Sequence, residues 1–253
     1  MECSAHCFFF SRQCSRYEEN KRNSPQRLSF FQAILAPVNS LDSLESVLDG
    51  SPGVGVWLKA NAGQGKQTKQ SRQRRRLRER YLGRVAASRA LRMSGCEPAA
   101  SSTVEADGDG CPIWPRGFIG SISHTDGLVV AVASRDNLAR SVGVDVECIQ
   151  ERDETFVERV MRPEDHRDVP MNVARGVVAT GYFSIRESVF KCIFPHLRIR
   201  MDWHHCRVSV DWKRGTFLAC LLSPPHGLEG EFLRGNFRYT ATMFTSVCWW
   251  VDP

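Results

Sequence analysis

Strand-like and helical segments recur in both halves of this 253-residue chain, and their order restricts the fold to a mixed architecture. Alternation of apolar and polar residues predicts strands at residues 53–58, 117–123, 128–134, 141–147, 206–212, 215–223, 231–239 and 242–250. Helical patterning predicts helices at residues 72–93, 154–161 and 177–194, the first of which stops at Gly95. Because each half contains both sheet and helix, the sequence predicts an α+β fold.

The sequence divides into three expected parts. Residues 1–50 have weak periodicity and are expected to be poorly defined, whereas residues 51–140 and 141–253 are expected to form a first and a second α+β subdomain. A loop rich in Gly, Gln and Lys is predicted at residues 61–68. No apolar run approaches the ~20 residues that a membrane helix needs, and we recognise no targeting segment. We therefore expect a cytoplasmic protein that does not contact a membrane.

The ten cysteines do not follow a zinc-binding pattern, because no two of them have C-x-x-C spacing. Cys3, Cys7 and Cys14 with His6 are one candidate metal-binding set, but we expect this stretch to be a disordered tail. Scattered free thiols are typical of a reducing compartment.

Positive charge is concentrated in one stretch of the chain. The net charge is +6, and residues 59–92 are dense in lysine and arginine but contain a single acid, Glu79. On a helical wheel, Arg78 and Arg89 lie near the centre of an apolar half. That half consists of Leu77, Tyr81, Leu82, Val85, Ala86 and Met93. Either the arginine stems border a core, or their guanidinium groups bind an anion; contact of this run with nucleic acid is a third interpretation.

The segment Gly143-Val-Asp-Val-Glu147 places two carboxylates on one face of a predicted strand. Residues i and i+2 share a face, so Asp145 and Glu147 are expected about 6–7 Å apart. Two carboxylates at this spacing repel each other unless a cation lies near them, and oxygen ligands favour Mg²⁺ or Mn²⁺. The alternative is the ordinary solvent-facing side of an edge strand.

The segment Phe183-Ser-Ile-Arg-Glu-Ser-Val-Phe-Lys191 places Glu187 and Lys191 one helical turn apart. Two phenylalanines, Phe183 and Phe190, can anchor this helix and thereby fix the direction of Glu187. The alternative is a plain ion pair on the helix surface, which contributes a few tenths of a kcal/mol.

The segment Gly120-Ser-Ile-Ser-His124 is a predicted strand that runs into a polar turn. Ser123, His124 and Thr125 offer hydrogen-bond donors suited to a phosphate. A structural histidine is the alternative. Ser123 and His124 are not expected to act as nucleophile and base together, because adjacent strand residues face opposite sides.

Taken together and in this order, these segments resemble the 4′-phosphopantetheinyl transferase superfamily, in its enterobactin- and surfactin-type single-chain branch. The resemblance runs from about Gly53 to Val247. It rests on Leu82-Gly-Arg-Val with Ala90-Leu91, Pro112-Ile-Trp-Pro-Arg-Gly-Phe, Gly120-Ser-Ile-Ser-His124, Val142-Gly-Val-Asp-Val-Glu147 and Phe183-Ser-Ile-Arg-Glu-Ser-Val-Phe-Lys191.

The resemblance implies two similar α/β subdomains related by a pseudo-twofold axis, with coenzyme A bound between them. It implies an enzyme that transfers the 4′-phosphopantetheine moiety of coenzyme A to a serine of an apo acyl or peptidyl carrier protein and releases 3′,5′-ADP. It also implies a requirement for Mg²⁺, for which Mn²⁺ can substitute, and a role in secondary-metabolite biosynthesis.

The resemblance also assigns roles to residues by their position in the motifs. Asp145, Glu147 and Glu187 correspond to the metal ligands. Glu187, or a water that it orients, corresponds to the base that takes the proton of the carrier serine. Lys191 corresponds to the residue that neutralises charge on the diphosphate as 3′,5′-ADP leaves.

For coenzyme A itself, the resemblance points to Ser123 and His124 as contacts to the nucleotide phosphate. Arg78 and Arg84 would be their basic partners, and Lys191 and Arg186 complete the predicted cofactor-binding set: Arg78, Arg84, Ser123, His124, Arg186 and Lys191.

Three positions depart from the family pattern. Arg186 stands where the family usually has lysine, so a point charge becomes a planar fork. Ser88 stands where arginine is common, and no basic residue immediately precedes Pro112. Each change is expected to weaken affinity for coenzyme A.

Two alternatives to an active transferase stay open. One is a homologue that binds coenzyme A or a carrier with weak or lost activity; the three departures favour it, and the intact acidic residues oppose it. The other is a nucleic-acid-binding protein that uses residues 69–80, although a cluster of acidic residues would repel a phosphate backbone. We expect a monomer that binds coenzyme A and a carrier protein.

Overall fold

The computed structural model describes residues 46–49, 51, 53–59, 69–100, 104–125, 128–200, 202–222 and 231–251. The predicted loop at residues 61–68 and the candidate cysteine set near the N-terminus lie outside the described residues. So does the predicted poorly defined segment at residues 1–50, apart from residues 46–49.

Helices and strands alternate largely as predicted, and the described chain is a mixture of both. The helices are α1 (Lys69–Met93), α2 (Glu154–Val160) and α3 (Arg175–Leu197), and short 3₁₀ turns lie at Ser46–Leu48, Asp165–Asp168 and Trp203–His205. The strands are β1 (Val54–Lys59), β2 (Glu105–Ala106), β3 (Pro112–Ile113), β4 (Phe118–Thr125), β5 (Leu128–Arg135), β6 (Ser141–Cys148), β7 (Cys206–Asp211), β8 (Thr216–Leu221), β9 (Phe232–Tyr239) and β10 (Met243–Trp250). The predicted α+β class is confirmed.

The longer strands form two antiparallel sheets. The first has the order β1-β5-β4, and the second has the order β6-β10-β9-β8-β7. Strands β4 and β6 lie side by side where the sheets meet. There Ser121 Oγ accepts a hydrogen bond from the Val144 amide at 3.1 Å, and Ser123 Oγ accepts one from the Val146 amide at 3.4 Å. Two side chains thus join the edges of the sheets.

Helix α1 packs on the first sheet through a face of small residues, and the predicted apolar half is correct only in part, since Ala86 is buried and Leu82 and Val85 are half-buried. Gly83, Ala86, Ala87 and Ala90 are buried, as is Leu91. By contrast, large side chains of the predicted face are exposed, as are both arginines that were placed within it. These are Leu77, Tyr81, Met93, Arg78 and Arg89. A Cβ atom at position 83 would lie 3.1 Å from Ile122 Cγ2, so the helix is too close to the sheet for large residues.

Helix α3 packs on the second sheet, and a glycine sets their separation. Tyr182, Ile185 and Val189 of the helix are fully buried against the sheet. A Cβ atom at Gly143 of β6 would overlap the carbonyl oxygen of Ser188 and the backbone of Cys192. Because glycine has no Cβ, α3 can lie directly on β6. This close approach brings the α3 side chains next to those of β6.

The two predicted subdomains share part of their core. Leu128 and Val130 of β5 lie in one buried cluster with Val142 and Val144 of β6. Val47 belongs to the same cluster and is fully buried, and its carbonyl accepts a hydrogen bond from Asn236 Nδ2 at 3.1 Å. Part of the segment that was expected to be poorly defined therefore contributes to the core. No helix in the described ranges is long and apolar enough to cross a bilayer.

Candidate functional site

A buried polar group lies where β4, β6 and α3 meet. Lys191 Nζ is 2.6 Å from Asp145 Oδ1 and donates a hydrogen bond to Ser123 Oγ at 2.9 Å. Ser123 Oγ in turn donates to the same Asp145 oxygen at 2.9 Å. The Asp145 side chain is 2 % exposed and that of Lys191 is 26 % exposed. One carboxylate oxygen therefore has two donors from two different elements.

The second oxygen of Asp145 lacks a partner. Asp145 Oδ2 is buried and has no hydrogen bond to any described residue. Leaving a buried acceptor unsatisfied costs roughly 1–3 kcal/mol, and more when the group is charged. A cation or a bound water at this oxygen would remove that cost.

Glu147 and Glu187 complete an acidic cluster, by which we mean Asp145, Glu147 and Glu187. Burial and the charge of Asp145 raise the pKa of Glu147 to about 7, against the opposing effects of Lys191 and Arg152. Burial also raises the pKa of Glu187, while Lys191 lowers it and Asp145 raises it further. Each carboxylate thus lies within electrostatic range of its neighbours.

The acidic cluster has some, but not all, of the features of a metal-binding group. In the part of the chain that the structure describes, no three His, Cys, Asp or Glu side chains form a ready-made metal-binding arrangement. The ammonium group of Lys191 instead provides the positive charge beside Asp145. The unpartnered Oδ2 atom and the all-oxygen donor set nevertheless fit a hard divalent cation such as Mg²⁺. The three carboxylates lie close enough to affect one another's pKa, but they would have to move to form a coordination shell.

Ser123 and His124 face different sides of β4, as their adjacency requires. Ser123 is buried against Asp145, whereas the imidazole of His124 is 49 % exposed and its Nδ1 lies 3.6 Å from Glu79 Oε2 of α1. Of the predicted phosphate contacts, Ser123 therefore lies against Asp145 of the acidic cluster, and His124 lies against α1.

Of the other predicted cofactor-binding arginines, Arg78 and Arg84 are exposed on α1. The guanidinium group of Arg84 forms an ion pair with Glu105 of β2, at 3.3 Å. The described bonds of Arg84 do not reach the acidic cluster.

The protein itself holds Arg186, which also lines the cavity described below. Its side chain is 2 % exposed and forms a buried ion pair with Asp165. Its Nε donates to the Val160 carbonyl at 2.7 Å, and Nη1 donates to the carbonyls of Trp203 and Cys206. All three guanidinium nitrogens are therefore engaged by the protein. Contact with coenzyme A would require some of these bonds to break.

A cavity of about 710 Å³ opens beside the acidic cluster. Glu187, Phe190 and Lys191 form one wall, and Pro112 and Trp114 contribute to the other. Phe190 packs on Phe194 with ring centroids 5.0 Å apart. Charged side chains such as Glu187, Lys191 and Arg200 line the cavity together with apolar ones such as Phe190 and Trp114, so it suits a ligand that has both polar and apolar parts.

Sequence reasoning missed two residues that shape this site. Arg152 lies close enough to Glu147 to lower its pKa, and Asp165 holds Arg186. Both lie in irregular segments, where no periodicity predicts which way a side chain points. The polar run Gln150-Glu-Arg-Asp153 directly after β6 was the available signal for the first of them.

Comparison with known proteins agrees with this arrangement. The model of the 4′-phosphopantetheinyl transferase N-terminal domain matches residues 65–134, and the model of the 4′-phosphopantetheinyl transferase superfamily matches residues 141–241. The two matches follow in chain order and together span more than half of the chain. The second of them includes the acidic cluster and all of α3.

Individual relatives include proteins named as 4′-phosphopantetheinyl transferases. The chain is 31% identical over 164 residues to the 4′-phosphopantetheinyl transferase Svp of Streptomyces mobaraensis, which is 64% of this chain and 65% of that protein. It is 34% identical over 123 residues to enterobactin synthase component D of Escherichia coli O157:H7, covering 47% of this chain and 55% of the relative. It is 27% identical over 128 residues to the 4′-phosphopantetheinyl transferase Npt of Nocardia iowensis, covering 48% and 58%.

The matched regions thus span between about half and two thirds of these relatives. Both family models, the named relatives and the convergence of β4, β6 and α3 point to the same group of proteins. The chain belongs to the 4′-phosphopantetheinyl transferase superfamily.

Proposed function

We propose that this protein transfers the 4′-phosphopantetheine moiety of coenzyme A to a serine of an apo acyl or peptidyl carrier protein, with Mg²⁺ or Mn²⁺ as the cofactor. The observation that carries the proposal is the acidic cluster, whose Asp145 is paired with Lys191 and whose Glu187 lines the cavity with that lysine. Membership of the superfamily and the names of the relatives support the same reaction.

Asp145, Glu147 and Glu187 would hold the metal. When bound, it would neutralise charge on the diphosphate of coenzyme A and fix its orientation, as divalent cations do in phosphoryl transfer. The unsatisfied Asp145 Oδ2 atom supports this assignment.

Glu187 is the proposed base for the carrier serine. Burial raises the pKa of Glu187, which makes it a better proton acceptor near neutral pH than an exposed carboxylate. The serine Oγ bonds to the phosphorus attached to pantetheine, the bond from that phosphorus to the oxygen of 3′,5′-ADP breaks, and the serine proton passes to Glu187 or to a water that it orients.

Lys191 is the proposed partner of the leaving group. Its ammonium group lies 2.6 Å from Asp145, whereas the side chain as a whole is 26 % exposed. Lys191 also lines the cavity. An ammonium on a flexible stem can follow a phosphate as charge develops on it. Lys191 is thus suited to exchange its contact with Asp145 for one with the diphosphate when metal binds.

The proposed partner is an acidic carrier protein. Carrier serines of this kind are flanked by acidic residues, and the exposed arginines of α1, including Arg74, Arg76 and Arg80, provide a complementary surface. We also propose a cytoplasmic location and a monomeric state. All the cysteines in the described ranges are free thiols, which supports a reducing compartment.

The test is to incubate the protein with a panel of apo carriers, coenzyme A and Mg²⁺ and to weigh the carriers by mass spectrometry. We expect at least one carrier to gain the mass of one phosphopantetheine group, and a carrier with alanine in place of its serine to gain none. If no carrier is modified although the protein binds coenzyme A, the protein is a binding homologue.

A further inference from the structure

The single acid of the basic run is buried. Glu79 is 5% exposed, although the arginines on either side of it, Arg78 and Arg80, are exposed. It lies on the small-residue face of α1 that packs on the first sheet. Burial of a carboxylate is costly unless partners compensate its charge, so the position of Glu79 calls for such partners.

Two basic side chains approach this carboxylate, one at each oxygen. Arg75 Nε is 3.5 Å from Glu79 Oε1, one helical turn away. His124 Nδ1 is 3.6 Å from Glu79 Oε2 and comes from β4. The Glu79 side chain is 7% exposed, but those of Arg75 and His124 are 43% and 49% exposed. A buried anion thus fixes two half-exposed basic groups, and we call these three residues the Glu79 group.

The position of the imidazole relates the Glu79 group to the proposed reaction. His124 directly follows Ser123, which is hydrogen-bonded to Asp145 and Lys191. Because Nδ1 faces the carboxylate, a proton on Nδ1 is favoured, and Nε2 is left to donate to a phosphate when the ring carries its second proton. Outer carboxylates that orient a histidine ring in this way are common beside functional sites.

We propose that Glu79 is a positioning residue that holds His124 and Arg75 as a pair of donors for a phosphate group of coenzyme A. The inference rests on the proposed function, since it names how this protein organises one part of the cofactor site. Without Glu79, the imidazole of His124 and the guanidinium group of Arg75 would lose the carboxylate that orients them. Glu79 itself does not contact the ligand.

The test is calorimetric titration of coenzyme A into the parent protein and Glu79→Gln. Glutamine keeps the shape and removes the charge. We expect about tenfold weaker binding, the scale of one charge-assisted contact. In a background of Arg75→Ala with His124→Ala, Glu79→Gln should change the Kd by less than about twofold, because Glu79 acts through those residues. Glu97→Gln removes the same charge at an exposed position past the end of α1 and should leave the Kd unchanged.

A spectroscopic measurement separates positioning from mere support of the fold. In ¹⁵N spectra of the histidine rings of the parent protein, we expect the His124 signal to show a proton on Nδ1, and we expect Glu79→Gln to shift it. A parent spectrum with no proton on Nδ1 would overturn the inference even if Glu79→Gln failed to fold. Equal affinity of the parent and of folded Glu79→Gln for coenzyme A would also overturn the inference, but it would leave the proposed function intact. No binding by the parent would overturn the proposed function as well.

Discussion

The acidic cluster and the Glu79 group lie on opposite sides of β4 and have opposite local balances of charge. In the acidic cluster, one carboxylate is buried and two are half-buried near one lysine, and an oxygen of the buried Asp145 has no partner among the described residues. In the Glu79 group, one carboxylate is buried and two basic side chains remain half exposed. The first arrangement is short of positive charge and suits a cation, whereas the second presents positive charge and suits a phosphate. Strand β4 therefore lies between a region suited to a cation and a region suited to a phosphate.

The largest expected effect is that of removing the proposed base. Glu187→Gln keeps the shape of the side chain but loses its charge and basicity, so we expect a folded variant with a kcat at least roughly 100-fold lower. Millimolar Mg²⁺ or Mn²⁺ should restore this rate only in part. The measurement is the initial rate of carrier modification over a range of metal concentrations.

The control for that variant is Glu158→Gln, which removes the same charge at an exposed position of α2. Full rescue of Glu187→Gln by metal would reduce Glu187 to a metal ligand. An unchanged kcat would remove the acidic cluster from the reaction.

Lys191→Met tests whether ammonium and metal compete for the same carboxylate. Loss of the lysine leaves Asp145 buried without its cation, so we expect the metal-free protein to lose roughly 1–3 kcal/mol of unfolding free energy. Added Mg²⁺ should stabilise this variant more than it stabilises the parent, because the metal replaces the missing charge. Urea unfolding with Mg²⁺ and with a chelator measures both effects. Equal stabilisation of the two proteins by Mg²⁺ would contradict this account.

Arg186→Lys distinguishes a structural role from a ligand contact. The guanidinium group of Arg186 serves Asp165 and three backbone carbonyls, which an ammonium on a flexible stem cannot reproduce. We expect a loss of roughly 1–3 kcal/mol of unfolding free energy with little change in the KM for coenzyme A. A higher KM at unchanged stability would show that Arg186 binds the cofactor after all.

Arg78→Ala should have the smallest effect on folding. Because Arg78 is exposed on α1, we expect the unfolding free energy to change by no more than about 0.5 kcal/mol. If Arg78 contributes to the basic side of the site, the KM for coenzyme A rises a few-fold. Thermal unfolding and steady-state kinetics on the same preparation check both statements. An unchanged KM would mean that Arg78 does not bind coenzyme A, and that the basic contacts come from the Glu79 group and its neighbours.

The two regions also differ in how well the sequence predicts them. The strand period predicted that Asp145 and Glu147 share a face of β6, and the structure has them both within range of Lys191. The predicted apolar half of α1 was wrong at Leu77, Tyr81 and Met93, which are exposed. The face that packs is Gly83 with Ala86 and Ala90, since the helix lies close to the sheet. A face of small residues gives little hydrophobic signal, so a wheel weighted by hydrophobicity misses it.

The burial of Glu79 and Arg186 depends on tertiary contacts that are far apart in sequence. Glu79 contacts His124, and Arg186 contacts Asp165 and Trp203. No local pattern indicates that either charge has a buried partner. Charged residues in helices are usually exposed, so the sequence favoured a ligand contact for Arg186, and we predicted no role for Glu79. Only the packing of α1 and α3 shows the partners.

The most direct test of the account is the Mg²⁺ dependence of carrier modification by the parent protein and by Asp145→Asn. Asp145 is the centre of the acidic cluster, and asparagine retains its size but removes its charge. We predict that the parent modifies an apo carrier only when Mg²⁺ or Mn²⁺ is present, and that Asp145→Asn is at least roughly 100-fold slower at the same metal concentration. Modification that continues in excess chelator, or at the parent rate in Asp145→Asn, would contradict the assignment of the acidic cluster as the metal site of the transferase.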